Sequence, residues 1–335
     1  MTRSDRITLR DVAGAVGVST TTVSDALSGR GRLPPATRER VAAVARDLGY
    51  MANPSARHLR AGRTGTIGLY LPARSLGYEY MMRMAMSAAD AAMEHDLSLM
   101  LLPPRRAGSL VPVPQLDGVV VSDPVLADPF LIMLGRSGAP LVTCERDLTP
   151  GSRSSGRVES DHRAGLRGLL EHLVAGGAER VALITPGSDT AFGLDLNEAY
   201  RQWCADTGLR PILHEVPFAC EPGDITAAVR RVLRARPRPT GLVVVPDGSA
   251  VIVLDTLVRA GVRVPDDLLL AGYVDSAPLA TLSTPVTALD LSPAQMGRRA
   301  VRLLVELLAG RSSPGTVQRL PTHLVVRAST RRGNG

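Results

Sequence analysis

The chain has 335 residues, of which 44% are hydrophobic and 21% charged, a composition that is typical of a globular protein and excludes a disordered or membrane-embedded chain. All 39 basic residues are arginine, and residues 1–65 hold eleven of them against five acids, a net charge of +6, whereas the rest of the chain carries +1. A positive charge confined to one short segment is typical of a module that binds a polyanion.

The first predicted elements are three short helices. Thr8 and Asp11 form a potential capping box, and the apolar residues that follow recur at helical spacing until a glycine ends the first helix. Ser19 is placed to cap a second helix over residues 20–27, and the Pro-Pro pair at 34–35 begins a third. Two helices joined by a tight glycine turn, with a third to support them, form the helix-turn-helix plan.

A fourth, shorter helix is predicted after this module. Asn53 is a suitable N-cap, Pro54 suits the first helical position, and Gly62 suits the end. A helix of little more than two turns is marginal in water on its own. We therefore expect a hinge segment that becomes ordered only when a partner braces it, and DNA is the candidate partner.

From residue 66 onward, short apolar runs alternate with longer amphipathic stretches. The stretches over residues 161–176 and 225–235 are predicted helices. Buried parallel strands with helical crossovers form a doubly wound α/β fold, and its repetition predicts two lobes with a ligand cleft at the carboxyl ends of the strands. The four prolines in residues 103–116 argue against a long helix there. The predicted strands cover residues 67–71, 97–101, 118–121, 181–184, 242–245 and 268–271.

Several of these motifs together resemble the LacI/GalR family of transcriptional regulators. In the N-terminal part the resemblance lies in residues 8–13 (TLRDVA), 18–24 (VSTTTVS), 37–41 (TRERV), 48–50 (LGY) and 53–59. In the C-terminal part it lies in residues 116–119 (LDGV), 161–177, 264–267 (VPDD) and 320–330. The motifs occur in order and cover nearly the whole chain.

The resemblance implies an N-terminal all-α helix-turn-helix domain of the lambda-repressor-like fold, followed by a two-lobed α/β domain like that of periplasmic binding proteins. It divides the chain into a DNA-binding domain (1–52), a hinge helix and linker (53–64), and an effector-binding and dimerisation domain (65–335). The implied function is a sequence-specific transcriptional regulator, in most members a repressor. Such a regulator binds a palindromic operator on double-stranded DNA as a homodimer and is tuned by a small-molecule effector.

The resemblance also assigns residues to the DNA interface. Thr20, Thr21 and Asp25 fall on base-reading positions, Arg32 on a further contact in the loop, and Leu59 on the hinge leucine that wedges between base pairs. Contacts that position the protein on phosphates are implied for most of the others. These other interface residues are Ser19, Thr22, Arg30, Asn53, Ala56 and Arg57.

Asp25 departs from the family, which usually has arginine at this position. An arginine reads guanine through two hydrogen bonds, whereas a carboxylate can only accept, most naturally from the N4 amino group of cytosine. Two roles therefore stay open for Asp25. It either contacts a base and changes the preferred operator, or it orients Arg30.

The effector pocket departs further from the family. Three positions that commonly carry polar ligand contacts fall here on Leu196, Pro246 and Val274, and apolar side chains cannot supply charge-assisted hydrogen bonds to a sugar. We expect either a different, less polar ligand or no ligand. An alignment shifted by one residue would bring Asp195 into the pocket instead of Leu196. The residues expected to bind an effector are Tyr78, Glu145, Phe192, Asp195, Leu196, Asp247, Tyr273 and Asp275.

Other functional classes have less support. The acid-histidine pairs at 94–95, 161–162 and 171–172 lack a converging third ligand, so we expect solvated side chains and no metal site. The turn at residues 185–188 lacks the lysine of a phosphate loop, and no cofactor or enzymatic activity is expected. The alternative is a solute-binding protein of the same two-lobed fold. The basic N-terminal module, the lack of a signal peptide and three widely spaced cysteines favour a cytoplasmic regulator.

Overall fold

The structure is a computed structural model that describes residues 7–28, 32–50, 62–72, 78–102 and 114–332. The chain divides into two compact units, residues 1–64 and residues 65–335. The hinge helix predicted from Asn53 onward lies outside the described residues, as do most of residues 103–116.

The described part of the first unit contains the three helices that the sequence predicts there, α1 (Leu9–Val16), α2 (Thr20–Ser28) and α3 (Pro35–Asp47). The Asp11 carboxylate accepts hydrogen bonds of 2.7 Å from both the amide and the hydroxyl of Thr8, which fixes the start of α1. The Ser19 hydroxyl accepts from the Thr22 amide at 3.0 Å and caps α2. A small core holds the helices together, and its buried members are Val12, Ala13, Val23, Val41 and Ala45.

The first lobe of the second unit is a six-stranded parallel sheet. Its strands lie side by side in the order β2, β1, β3, β4, β5, β11. They are β1 (Thr66–Tyr70), β2 (Ser98–Leu102), β3 (Gly118–Ser122), β4 (Leu141–Cys144), β5 (Gly156–Ser160) and β11 (Thr316–Leu320). The helices of this lobe are α4 (Glu79–Met93), α5 (Pro129–Arg136) and α11 (Pro293–Leu308).

The second lobe repeats this plan with one antiparallel strand at the edge. Its strand order is β7, β6, β8, β9, β10, β12, and β12 runs against β10. The strands are β6 (Val181–Pro186), β7 (Leu213–Val216), β8 (Gly241–Val244), β9 (Leu269–Gly272), β10 (Thr287–Asp290) and β12 (His323–Val325). The helices are α6 (His162–Ala175), α7 (Ala191–Thr207), α8 (Pro222–Arg234), α9 (Ser249–Arg259) and α10 (Ala277–Thr281).

The chain passes between the lobes three times. It crosses after β5 at Asp161, after β10 at residues 291–292, and after β11 at residues 321–322. The amide of Asp161 donates to the carbonyl of Leu320 at 3.0 Å, which ties the first crossing to the third. The crossings lie at strand ends, so the cleft between the lobes is lined by the residues that follow the strands.

All six predicted strands are present, with their ends shifted by no more than two residues, but they are only half of the twelve strands in the described residues. Those it missed do not form purely apolar runs. In β5, for example, the apolar Val158 lies between Arg157 and Glu159, and Glu159 pairs with Arg157 at 2.8 Å and with Arg319 on β11 at 2.9 Å. This pairing belongs to two strands far apart in the chain, so neither segment reveals it alone.

Helices α4 and α11 pack closely because Gly297 has no side chain. A Cβ atom at this position would overlap the carbonyl oxygen of Met84 and lie 2.5 Å from the Ser87 hydroxyl. The backbone of α4 cannot move away without opening the apolar layer beneath it, because Met84 and Ala88 are fully buried.

We therefore expect Gly297→Ala to lower the free energy of unfolding, by about 1–3 kcal/mol, because it overpacks this contact. Gly168→Ala on α6 is the matched control, since a Cβ there meets no heavy atom within 4 Å and alanine favours a helix. Urea unfolding followed by circular dichroism compares the two variants. Equal midpoints would show that the α4–α11 contact does not need a glycine.

Candidate functional site

In the first unit, the start of α2 presents short polar side chains to solvent. Thr20 and Thr21 are exposed, whereas Val23 on the opposite face is fully buried and fixes the helix to the small core. The hydroxyls of Ser19 and Thr22 lie 2.8 Å apart and take part in the cap. Arg32 is exposed and Asp25 half-buried. The predicted interface residues Arg30, Asn53, Ala56, Arg57 and Leu59 lie outside the described residues.

In the second unit, the cleft between the lobes encloses a cavity of about 60 Å³. Both lobes contribute to its walls, mainly through residues at the carboxyl ends of strands. Among the described residues, its polar lining consists of Tyr78, Tyr80, Ser122, Asp123, Cys144, Glu145, His162 and Asp247. Its apolar lining consists of Met81, Pro186, Phe192, Phe218, Val245, Pro246, Val274 and Leu291.

His162 is the centre of a buried polar cluster that connects the lobes. It begins α6 directly after the first crossing, and its side chain is only 3% exposed. Its Nε2 lies 3.2 Å from Oε1 of Glu145, which follows β4 in the first lobe. Its Nδ1 lies 3.0 Å from the hydroxyl of Tyr273, which follows β9 in the second lobe. The ring of Phe192 packs edge-on against the imidazole, with centroids 5.0 Å apart.

Glu145 determines the charge of His162. Burial lowers the pKa of His162, but the charge of Glu145 and its hydrogen bond outweigh this effect, so the pKa lies above its usual value. Glu145 itself is buried, adopts the left-handed backbone conformation (φ 74°), and accepts a hydrogen bond from the Ser160 amide at 3.1 Å. The network favours a protonated imidazole beside a carboxylate.

Two further carboxylates line the cavity. Asp123 follows β3 and is buried, and Asp247 follows β8 and accepts a hydrogen bond from the Tyr80 amide at 3.2 Å. Burial raises the pKa of Asp247. Burial raises the pKa of the Tyr80 hydroxyl well above its usual value, and the charges of Glu145 and Asp123 raise it further. The negative field of these acids therefore reaches the neighbouring side chains.

Direct contacts hold the lobes together around the cavity. The Tyr78 hydroxyl, at the start of α4, donates to the carbonyl of Phe218 in the second lobe. The Glu79 carboxylate accepts from the amide of Ala277 at 3.2 Å. At the rim, Arg146 of the first lobe pairs with Asp195 on α7 at 3.1 Å. These contacts join the two lobes across the cleft.

The structure places the predicted effector residues in two groups. Tyr78, Glu145, Phe192 and Asp247 line the cavity, together with Pro246 and Val274 at two of the apolar positions. The others lie outside its lining. Asp195 pairs with Arg146 and Arg163 at the rim, Tyr273 is fully buried against His162, and Asp275 forms a double ion pair with Arg327 at 2.8 and 2.9 Å.

Leu196 also lies outside the lining, fully buried in the core of the second lobe. It follows Asp195 on α7, and one residue along a helix turns the side chain by about 100°. The two neighbours therefore point to different surroundings, one to the rim of the cleft and the other to the core. The alternative alignment, shifted by one residue, would assign the effector position to Asp195 at the rim of the cleft instead of Leu196 in the core.

One sequence prediction is wrong. His162 was expected to be solvated at a helix start, but it is buried because the crossing at Asp161 brings it beneath the cleft. Asp123, Tyr80 and Phe218 were missed, although Asp123 follows the predicted strand 118–121 and its position could have indicated it. Within the described residues, no cluster of three or more acidic, histidine or cysteine side chains could hold a metal ion. No described helix combines the length and apolarity that crossing a membrane requires.

Comparison with known proteins gives matches over both units. Residues 8–53 match the lacI family of bacterial regulatory proteins, and residues 170–330 match the periplasmic binding protein-like domain. The HTH-type transcriptional regulator CelR of Thermobifida fusca is 29% identical over 98% of this chain and 100% of its own length. The repressor PurR of Photobacterium profundum is 25% identical over 97% of this chain and 98% of its own length.

Solved structures agree with this fold. A complex of the regulator CelR with cellobiose has a TM-score of 0.72 at 27% identity, covering 97% of this chain and 100% of that one. The lac repressor dimer bound to operator and an anti-inducer has a TM-score of 0.78 at 22% identity, covering 98% and 100%. This second likeness concerns the fold alone.

The pKa of His162 leads to a pH-dependent stability. Because the folded pKa lies above the unfolded value of about 6.5, the contribution of His162 is fully present below that pH and is lost as pH rises through the folded pKa. We expect the stability difference between the parent chain and His162→Gln to shrink from pH 6 to pH 8 and above. Thermal unfolding across this range measures it.

His95→Gln is the control, because His95 is exposed on the same unit. Comparing each variant with the parent chain at each pH cancels the titration of all other groups. A difference for His162→Gln that is constant or grows with pH would contradict the protonated pair.

Proposed function

Because this chain belongs to the LacI family of bacterial regulatory proteins, we propose that it is a sequence-specific repressor whose affinity for its operator is tuned by a small molecule bound in the cleft cavity. The observation that carries this proposal is the combination of a helix-turn-helix unit with a two-lobed unit that encloses a cavity. The matched DNA-binding family supports a regulatory role over that of a free solute-binding protein.

In this proposal, α2 lies in the major groove of the operator. Its exposed start brings Thr20 and Thr21 to base edges, and Asp25 follows one turn later. Arg30 and Arg32 hold the phosphates on either side. Because the chain has no lysine, every cationic contact with DNA uses a planar guanidinium, which suits two-point contacts with phosphate or guanine. Asn53, Ala56, Arg57 and Leu59 form the hinge contact in the minor groove.

A homodimer is the form that would recognise a palindromic operator. The outer face of α4 supports it, because Met82, Met86 and Met93 fall on one side of the helix and are 60%, 59% and 74% exposed. Leu101 on the adjacent edge strand β2 is 54% exposed and extends the apolar surface. Exposed apolar surface of this kind is typical of a protein-protein interface, and the occupant we propose is a second copy of the chain.

The effector would act through the cleft. Residues of both lobes line the cavity, so a ligand there contacts both and changes the free energy of the closed arrangement relative to an open one. We propose Tyr78, Glu145, Phe192 and Asp247 as ligand contacts. The solved CelR structure is a complex with cellobiose, but a cavity of about 60 Å³ holds only a handful of waters, so a disaccharide would require the cleft to open.

A mobility-shift assay with DNA from the region flanking the protein's own gene tests the proposed function. We expect a specific complex whose affinity falls steeply with salt, because each neutralised phosphate releases counterions. Thr20→Ala with Thr21→Ala should reduce specific binding and leave the non-specific affinity unchanged. Thr37→Ala on α3 is the control. No complex at low salt with any genomic fragment would refute a DNA-binding regulator.

Asp25→Arg tests how the operator is read. The exchange replaces an acceptor by a two-point donor, so we expect a binding-site selection to return a consensus with guanine at one changed position in each half-site. The parent chain, selected in parallel, provides the reference. An unchanged consensus would exclude direct readout and assign Asp25 the role of orienting Arg30.

A further inference from the structure

One stretch of the second unit is strongly basic. Residues 225–246 hold five arginines and no acid, although residues 66–335 as a whole carry a net charge of only +1. Without this stretch, residues 66–335 would be net negative. We call its arginines the arginine patch, and all of them are exposed. They are Arg230, Arg231, Arg234, Arg236 and Arg238.

In the part of the chain that the structure describes, no arginine of the patch forms an ion pair with a carboxylate. Most other described arginines of the second unit do, as Arg146 does with Asp195 at 3.1 Å. The pKa of Asp267 is lowered first by hydrogen bonds from Arg263, which pairs with it at 2.8 Å, and last by the charge of Arg238. The patch therefore presents a positive charge that neighbouring carboxylates do not neutralise.

Local structure accounts for part of the patch. Arg231 and Arg234 lie in the last turn of α8, where a positive charge interacts favourably with the helix dipole. Arg236 donates hydrogen bonds to two backbone carbonyls at the end of the same helix. These roles explain neither Arg230 nor Arg238, and they leave all five guanidiniums exposed to a partner.

The patch lies at the edge of the second lobe that faces away from the cleft. Its residues end α8 and lead into β8, and the Thr240 amide donates at 2.9 Å to the carbonyl of Arg180, which directly precedes β6. The amino ends of these parallel strands lie opposite the carboxyl ends that line the cleft. The patch is therefore a surface distinct from the cavity, and it belongs to a different unit from the helix-turn-helix.

The composition of the patch favours a phosphate backbone over a protein surface. Val232 and Pro239 are buried and Leu233 is half-buried, so Pro237 is the one exposed apolar residue between Arg230 and Thr240. The core of a protein-protein interface is apolar and depleted of charge, whereas protein-DNA interfaces are strongly positive and contact mainly phosphate and sugar.

The spacing of the arginines also suits a phosphate backbone. Arg230 and Arg234 lie about one helical turn apart, about 6 Å along the axis of α8, and so form a row. Duplex DNA carries one negative charge per about 1.7 Å of its axis, so it can supply phosphates to such a row at any sequence.

We propose that the arginine patch binds the phosphate backbone of duplex DNA without sequence preference, so that the two-lobed unit carries a second DNA-binding surface. A chain held on DNA by its helix-turn-helix meets a further DNA segment at the high local concentration that the first contact creates. This inference goes beyond the proposed function, which assigns DNA contacts to the first unit and the hinge alone.

A capture assay with the full-length chain tests the proposal. Beads carry a duplex from the region flanking the protein's own gene, the chain is loaded on it, and a labelled duplex of unrelated sequence is added at low salt. We expect the parent chain to capture the labelled duplex, with a yield that falls steeply as salt rises. The triple variant Arg230→Gln, Arg231→Gln and Arg234→Gln should stay on the beads but capture at least about fivefold less duplex per loaded chain.

Two further variants show whether position and charge decide the result. Arg153→Gln, Arg299→Gln and Arg311→Gln together remove the same charge from three exposed arginines of the first lobe that form no ion pair among the described residues. This control should capture within about twofold of the parent chain, because exposed charges beyond a Debye length are screened. Lysine at the three patch positions keeps the charge and should restore capture, whereas a packing role of the arginines would not be restored.

Circular dichroism checks that each variant is folded, and Arg230→Gln with Arg238→Gln repeats the test if the triple variant is not. Equal capture by the parent chain and the patch variant, an equal loss in the control, or no capture by the parent at low salt overturns the proposal. Binding of polyglutamate in preference to the labelled duplex would assign the patch to an acidic protein and overturn it as well.

The assay separates this inference from the proposed function. If the beads retain the chain but it captures no second duplex, only this inference is wrong. If the beads retain no chain, the proposed function fails, and fluorescence anisotropy with the unrelated duplex at low salt then decides the inference alone. Equal affinities of the parent chain and the patch variant in that measurement would refute it.

Discussion

The two lobes of the second unit are joined by three chain segments at residues 161, 291–292 and 321–322, and this triple connection limits how the lobes can move. A single linker would allow rotation in any direction. Three parallel segments, two of them tied by the hydrogen bond from Asp161 to Leu320, favour one hinge-like opening of the cleft. The contacts that such an opening breaks include those between Tyr78 and Phe218 and between Arg146 and Asp195.

The position of His162 follows from the same constraint. Because α6 begins directly after a crossing, its first side chain enters the base of the cleft instead of solvent, and there it meets Glu145 from one lobe and Tyr273 from the other. A buried ion pair alone contributes little to stability, since desolvation offsets its attraction. Here the ion pair constrains the positions of the lobes, because its two charges are paired only when both lobes are in place.

Local patterns in the sequence predicted much of the fold. The capping residues Thr8 and Ser19 located two helices, and the apolar run at 181–184 located a central strand. The sequence could not reveal β5 and β11, whose charged residues pair across 160 positions of the chain. The burial of His162 could not be predicted either, because the residues that cover it come from distant segments of the chain.

In the candidate site, too, local sequence predicted some residues, whereas features that depend on contacts between distant segments could not be predicted. Glu145 and Asp247 were expected in the cavity because of the family resemblance, and the structure places both in its lining. The sequence could not decide which of Asp195 and Leu196 faces the cleft. The side chains of adjacent helical residues point in different directions, and one sequence does not fix the orientation of the helix about its axis. Which strand-end residues share the cavity is visible only once the fold brings the strand ends together.

The chain separates attraction to the operator from the response to a ligand along its length. Residues 1–65 carry nearly all of the net positive charge, so attraction to the operator depends on this unit and weakens with salt. A ligand that binds both arrangements of the lobes equally would change nothing, however tightly it bound. Regulation by a ligand therefore requires contacts with both lobes that form in only one arrangement of the cleft.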